Sequence, residues 1–320
     1  MSTALAVISD ASSLPAALGP DLAAAVDLAK AENVASTRKA YGTDFRIFRE
    51  WCEARSVSAL PAAPETVAAY LAAHASTSKA STLGRRVAAI RYAHKLAGHA
   101  LPTDAEGVKA TMRGIRRTYG SARVREAPAV VGKMLSMVAT APDKLAGLRD
   151  RALLLVGFGG ALRRSELVAV DVADIEETET GLLVKIRGSK TDQERQGVTI
   201  AIAKGDIACP AGALREWLGA AGIEAGPIFR PIDKAGTVRT SRLTCRSVAN
   251  IVKAYAKRAG FDASTFSGHS LRAGFLTFAA GKGASIFKMM DVSRHKSVDT
   301  PKGYVRDAEL FKDHAGAGLL

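Results

Sequence analysis

The sequence predicts a mainly α-helical protein with one small β-sheet, divided into two domains. Three observations carry this. At 320 residues the chain is longer than one average domain. Apolar residues recur at helical spacing through four successive segments before a polar, basic stretch, TYGSARVREAP at 118–128. Beyond that stretch only one pair of segments alternates apolar and polar residues as strands do. The expected division is a frayed leader at 1–22, a helical domain at 23–119, a linker at 120–127 and a second domain at 128–320.

The leader, MSTALAVISDASSLPAALGP, lacks a basic start and is interrupted by Asp10, so it does not read as a secretion signal. The first helix begins near Ser36 or Thr37, with Tyr41, Phe45, Phe48 and Cys52 on one stripe. The second, PETVAAYLAAHA, carries Pro64 in its first turn, where a missing N–H costs nothing. The third runs over about 81–97, with Leu83, Val87 and Ile90 inward and Arg85, Arg91 and Lys95 off that stripe. The fourth follows Asp104, with Val108, Met112 and Ile115 as its apolar line. Beside that line lie Lys109, Arg113, Arg116 and Arg117, with no acid between them. Four such cations repel one another unless an anion lies along the helix. Arg123 and Arg125 extend the charge, so phosphate contact is favoured over an ordinary solvated face.

In the second domain helical patterns at about 129–140 and 143–159 precede GGALRRSELVAV. GLLVKIR and GVTIAIA then read as a β-hairpin whose long polar tip is GSKTDQERQ. Helices follow at about 210–221 and 241–259, and short ones continue to the C-terminus. No repeat at a solenoid period is evident.

Composition narrows the function classes. A formal net charge of +14 favours a polyanionic partner, most often nucleic acid. The longest apolar run, ALLLVGFGGAL from Ala152 to Leu162, is too short to span a bilayer. The three cysteines, Cys52, Cys209 and Cys245, are far apart and odd in number, which fits a reducing cytoplasm and no metal pairing.

Four islands of the second domain carry reactive side chains. They are Arg163 in GALRRSEL, Lys190 in RGSKTDQ, His269 and Arg272 in GHSLRAG, and His295 with Tyr304 in RHKSVDTPKGYVRD. Taken singly each has a bland explanation: a capping histidine, a half-buried tyrosine, a surface arginine paired with Glu166, a solvated lysine. Taken together they suit one reaction. Guanidinium groups match the non-bridging oxygens of a phosphodiester bidentately and stabilise the charge that grows in its transition state. A tyrosine hydroxyl can act as nucleophile and store the bond in a phosphotyrosine. A lysine on a hairpin can protonate the departing 5′ oxygen.

With these boxes the chain resembles the tyrosine recombinase (phage integrase) family over both domains. Arg163 and Glu166 match the first arginine box and its acidic residue, and Lys190 matches the hairpin lysine. His269 and Arg272 match H-x-x-R. His295 stands at the His/Trp position, with Tyr304 nine residues later as the nucleophile. Within the family it resembles the Cre-like site-specific recombinases, having Ala273 directly after the second arginine.

The resemblance implies a C-shaped DNA clamp: a helical core-binding domain joined to an α+β catalytic domain. It implies a Holliday-junction intermediate, no metal or nucleotide cofactor, and a homotetramer on two double-stranded DNA sites, each an inverted repeat. Glu166 would orient its neighbours, and Arg85, Arg91, Lys95, Lys109, Arg113, Arg116 and Arg117 would face DNA. The segment from Ala308 onward is the candidate for docking on a neighbouring protomer. A cytoplasmic, nucleoid-associated protein of bacterial, phage or plasmid origin is expected.

Two departures stand out. The glycine usual before the His/Trp position is Arg294, and Pro301 lies close before the nucleophile. Arg164 is expected on the outer helix face, while Arg306, Trp51 and Trp217 are assigned no chemistry. The rival readings are a type IB topoisomerase and a DNA-binding protein that kept the fold without catalysis. A metal-dependent nuclease is disfavoured by the lack of ligand spacing.

Overall fold

The computed structural model describes residues 35–120, 127–188 and 197–308, with positions 21 and 24 besides. Two compact units divide at Val124 and Arg125. The first contains α1 (Ala35–Glu53), α2 (Pro64–Ala73), α3 (Ala80–Leu96) and α4 (Glu106–Tyr119). The expected stripes bury as spaced: Phe48 and Cys52 from α1, Leu83 and Ile90 from α3, and Val108, Met112 and Ile115 from α4 form one core with Val67, Tyr70 and Leu71 of α2. Tyr70 anchors it, its ring edge-on to Phe48 at 5.0 Å and to Trp51 at 5.3 Å. His94 lies at 0% exposure with both ring nitrogens engaged. Its Nδ1 contacts the Ile90 carbonyl at 2.8 Å and its Nε2 accepts the Ala62 N–H at 2.9 Å.

The second unit contains α5 (Val131–Ala139), α6 (Leu145–Gly159), α7 (Arg164–Ala169), strands β1 (Ile175–Thr178), β2 (Gly181–Ile186) and β3 (Val198–Ala203), then α8 (Pro210–Ala220), α9 (Cys245–Arg258), α10 (Ser270–Gly281), α11 (Ile286–Ser293) and α12 (Asp299–Ala308). The three strands form one antiparallel sheet in the order β1-β2-β3. Register places Leu182 opposite Ile202 and Val184 opposite Ile200, so alternation puts all four on one buried face. That face packs on α6 and α8, where Trp217 is fully buried and donates its indole N–H to the Ile228 carbonyl at 2.7 Å. β1 was not among the strands expected. Its four residues, IEET, are too few and too acidic to show a period, and pairing with β2 makes them a strand.

Helix α6 is buried on nearly every side through Ala152–Val156, which makes it the rod against which its neighbours are placed. α10 and α7 both pack on it, and α11 and α12 pack on α10. Lys190 lies outside the described residues, as do the leader at 1–20, most of the linker and the chain beyond Ala308.

Candidate active site

Three elements converge on one cluster: the α6–α7 turn, the start of α10, and the turn between α11 and α12. Arg163 is the residue that caps α7. Glu166, third in that helix, reaches back to accept the Arg163 backbone N–H at 2.8 Å and the Arg163 Nη1 at 2.6 Å. Arg164 points outward and is exposed, and its stem lies against Gly268.

Arg272, in the first turn of α10, is 1% exposed. Its Nη1 donates to the Ala161 carbonyl at 2.8 Å and its Nη2 donates to His295 Nε2 at 3.0 Å. Burial, then the nearby Arg163 and Arg294, push its pKa down to about 9, which leaves it charged at neutral pH. His269 caps the same helix and is exposed, with its backbone N–H donated to Ser267 Oγ at 3.0 Å.

The tautomer of His295 follows from its neighbours. Ser293 Oγ donates to the Met289 carbonyl at 2.6 Å, so toward His295 Nδ1, 2.8 Å away, it accepts. Nδ1 therefore carries the proton, and the Nε2 lone pair receives the Arg272 N–H. Burial, followed by the charges of Arg272 and Arg163, lowers the pKa of His295 to about 4. His295 is thus a neutral acceptor on the Arg272 guanidinium.

Tyr304 sits one turn past Pro301 in α12, half-buried against Leu276, Ala280 and Met289. Its phenol lies within charge reach of Arg272. Pro301 is the third residue of α12, in the first turn, where its lack of an N–H breaks no bond. The proline therefore starts α12 rather than limiting it.

Arg294 occupies the turn where sequence reasoning expected altered geometry. It adopts the left-handed conformation, φ 55° and ψ 44°, that closes α11. Glycine reaches this region without penalty, whereas an L side chain costs roughly 1–2 kcal/mol there. Its guanidinium runs inward at 6% exposure and bonds Glu166 Oε2 at 2.6 Å, with further bonds to the carbonyls of Gly160 at 3.3 Å and Ala161 at 3.2 Å. Burial alone would raise the pKa of Glu166, but Arg294 and Arg163 outweigh it and hold the carboxyl below its ordinary value. The sequence signal for Arg294 was its charge at a glycine position. Its inward course could not be read from there.

Of the expected site residues, direct bonds join Arg163 to Glu166 and Arg272 to His295, and Arg294 links the two pairs through Glu166 and the Ala161 carbonyl it shares with Arg272. Tyr304 and His269 lie within charge reach of that cluster. On the first unit, Lys109, Arg116 and Arg117 are exposed along α4, and Arg113 is exposed but paired with Glu106. Arg85 is bidentate on the buried Asp44 at 2.6 and 3.1 Å, and Arg91 pairs with Asp104. Carboxylates of the same unit therefore engage Arg85, Arg91 and Arg113. Lys95 lies in the last turn of α3. Among the described residues no three His, Cys, Asp or Glu side chains gather where a metal ion could be held, and no helix is long and apolar enough to cross a membrane.

This geometry can be set beside known proteins. The sequence profile of the phage integrase family matches residues 129–310. The chain is 40% identical over 297 residues to an integrase/recombinase XerD homolog of Selenomonas ruminantium, covering 91% of this chain and 86% of that protein. It is 26% identical over 285 residues to the Cre recombinase of Escherichia phage P1, covering 82% of each. Its fold is similar to a lambda integrase dimer bound to a COC′ core site, with a TM-score of 0.63 at 19% identity, covering 88% of this chain and 92% of that one. It is also similar to a XerH recombinase in a post-cleavage complex with difH DNA, with a TM-score of 0.60 at 15% identity, covering 80% and 72%. With 182 of its 320 residues under the family profile and a relative of this identity spanning both units, the chain belongs to the phage integrase family of tyrosine recombinases, enzymes that cut and rejoin DNA at specific sites.

Proposed function

We propose that Tyr304 is the nucleophile of this recombinase and that Arg163 and Arg272 hold the non-bridging oxygens of the scissile phosphate. The observation that supports this best is the convergence of the two arginines from different elements, with Tyr304 in charge reach of Arg272. The phenol oxygen attacks phosphorus and the bond to the 5′ oxygen breaks. One proton leaves the phenol and one enters the leaving oxygen, so the step is proton-neutral and the bond is conserved as a 3′-phosphotyrosine. Lys190 supplies the entering proton, and His269 and His295 line the phosphate. His295 gives up Arg272 when an oxygen arrives.

The freed 5′ hydroxyl attacks the partner duplex, and two such rounds pass through a Holliday junction. A homotetramer on two inverted-repeat sites of double-stranded DNA performs them. A lambda integrase tetramer bound to a Holliday junction, similar in fold with a TM-score of 0.61, supports this assembly. The exposed cations of α4 contact backbone phosphate, while Arg85 and Arg91 do so only on leaving Asp44 and Asp104.

The test uses a site selected from random duplexes and rebuilt with a nick, so that the cleaved strand diffuses away. Wild type is expected to form a covalent adduct on a denaturing gel, and Tyr304→Phe is expected to bind equally and form none. Tight binding without an adduct from wild type would refute the assignment of Tyr304.

A further inference from the structure

Arg294 is a third guanidinium in a site whose chemistry needs two. It stands where this family's pattern calls for glycine, in a backbone conformation that arginine adopts at a cost, and its side chain is buried rather than directed to solvent. A buried arginine is retained against its desolvation only by strong partners. Here the principal one is Glu166, which serves both guanidinium groups: Oε1 takes Arg163 Nη1 and Oε2 takes Arg294 Nη2, each at 2.6 Å, with the Arg163 backbone N–H also on Oε2 at 2.8 Å. Arg163 in turn donates to the Arg294 carbonyl at 3.4 Å, so the two turns are linked in both directions.

We propose that Arg294 is a positioning residue for strand cleavage: it shares Glu166 with Arg163, so the carboxylate does not neutralise the arginine that meets the phosphate. This rests on the reading of Tyr304 and Arg163 given above. Among the described residues of the cluster, Arg163, Arg272 and Arg294 oppose the single carboxylate of Glu166, with His295 neutral, which leaves a formal excess of two positive charges before Lys190 is counted as the proton donor. A resting phosphodiester carries one negative charge. The five-coordinate phosphorus of the transition state carries two. The cluster is therefore matched to the transition state, and interactions stronger there than in the ground state raise the rate rather than the affinity. With glycine at 294 the excess falls to one, which is the match for bound substrate. Arg294 reaches no solvent face of the cluster, so it acts through Glu166 and through the backbone that carries His295.

The experiment compares adduct formation on the nicked selected site for wild type, Tyr304→Phe, Arg294→Gly, Arg294→Lys and the double variant Arg294→Gly, Glu166→Gln. Glycine suits the left-handed turn, so the first Arg294 variant is expected to fold. It should bind the site as wild type does and cleave roughly 10- to 100-fold more slowly, the usual size of such supporting contacts. Arg294→Lys, which keeps the charge without the fork, should fall between. The double variant should recover part of the loss, because removing the carboxylate restores an excess of two charges. A packing role cannot produce that recovery. Cleavage by Arg294→Gly at the wild-type rate, a loss explained by weaker binding, or a further loss in the double variant would each overturn the proposal. An adduct from wild type but not from Tyr304→Phe in the same gel keeps the underlying reading intact in all those cases. Its absence would overturn both.

Discussion

Replacing Gly274 by alanine tests whether the placement of Arg272, proposed to hold the phosphate, depends on how closely α10 lies on the chain before α5. A β-carbon at 274 would fall 2.2 Å from the Ala129 carbonyl oxygen and 2.4 Å from its carbon, where ordinary contact begins at 3.4 Å. The obstacle is backbone, so no side-chain rotation relieves it, and α10 must withdraw from Ala129 by about 1 Å. That movement weakens the bond from the Ala129 N–H to the Ser270 carbonyl, now 3.1 Å. A lost hydrogen bond costs about 1 kcal/mol and overpacking ~1–3 kcal/mol, while alanine returns about 1 kcal/mol of helix propensity. The net expectation is a destabilisation of ~2 kcal/mol, visible as a lower denaturant midpoint at unchanged slope. Cleavage should suffer more than folding. Arg272 lies two residues earlier, buried, with its Nη1 2.8 Å from the Ala161 carbonyl. Misplacement by 1 Å in such a site costs on the order of 10²-fold. Nicked-substrate cleavage, run where the variant is fully folded, separates the two effects. A midpoint and a cleavage rate both equal to wild type would refute the steric reasoning.

Three further outcomes follow from the same geometry. Ser293→Ala removes the acceptor that keeps the proton on His295 Nδ1 and should slow cleavage roughly 10-fold with binding unchanged; nitrogen NMR of the ring, showing one tautomer in wild type and a mixture in the variant, checks the cause. His94 is held neutral by burial, its pKa lowered below 6.5, and protonating Nε2 would break its bond from Ala62. Because the folded pKa is the depressed one, its contribution to stability is full above the unfolded pKa and is lost as pH falls below it. Melting of wild type from pH 7.5 to 5.5 should therefore show a steeper acid loss than His94→Gln, and equal slopes would contradict this. Arg117→Ala should lower the slope of log affinity against log salt by about 0.9 without changing which site is preferred, as measured by anisotropy titrations on selected and scrambled duplexes.

Much of this protein was determined by local sequence alone. The stripes of α1, α3 and α4 and the alternation of β2 and β3 bury as spaced, because periodicity and side-chain direction are local properties. The order of Arg163, His269, Arg272, His295 and Tyr304 was legible for a similar reason: each box joins a reactive side chain to the turn that presents it. β1 escaped notice because four residues carry no period of their own. Pairing of Arg85, Arg91 and Arg113 with carboxylates was equally hidden, since a helical face shows which charges are exposed but not which partner reaches them. Tertiary structure alone decided the fate of Arg294, the protonation of His295 and the burial of Glu166. Each is set by groups on other elements of the chain or by the bonding of a neighbouring hydroxyl: Arg294 by Glu166, 128 residues away, and His295 by Arg272, 23 residues away, with Ser293. The charge state of a buried group depends on everything packed around it, and packing brings together residues that the sequence keeps apart.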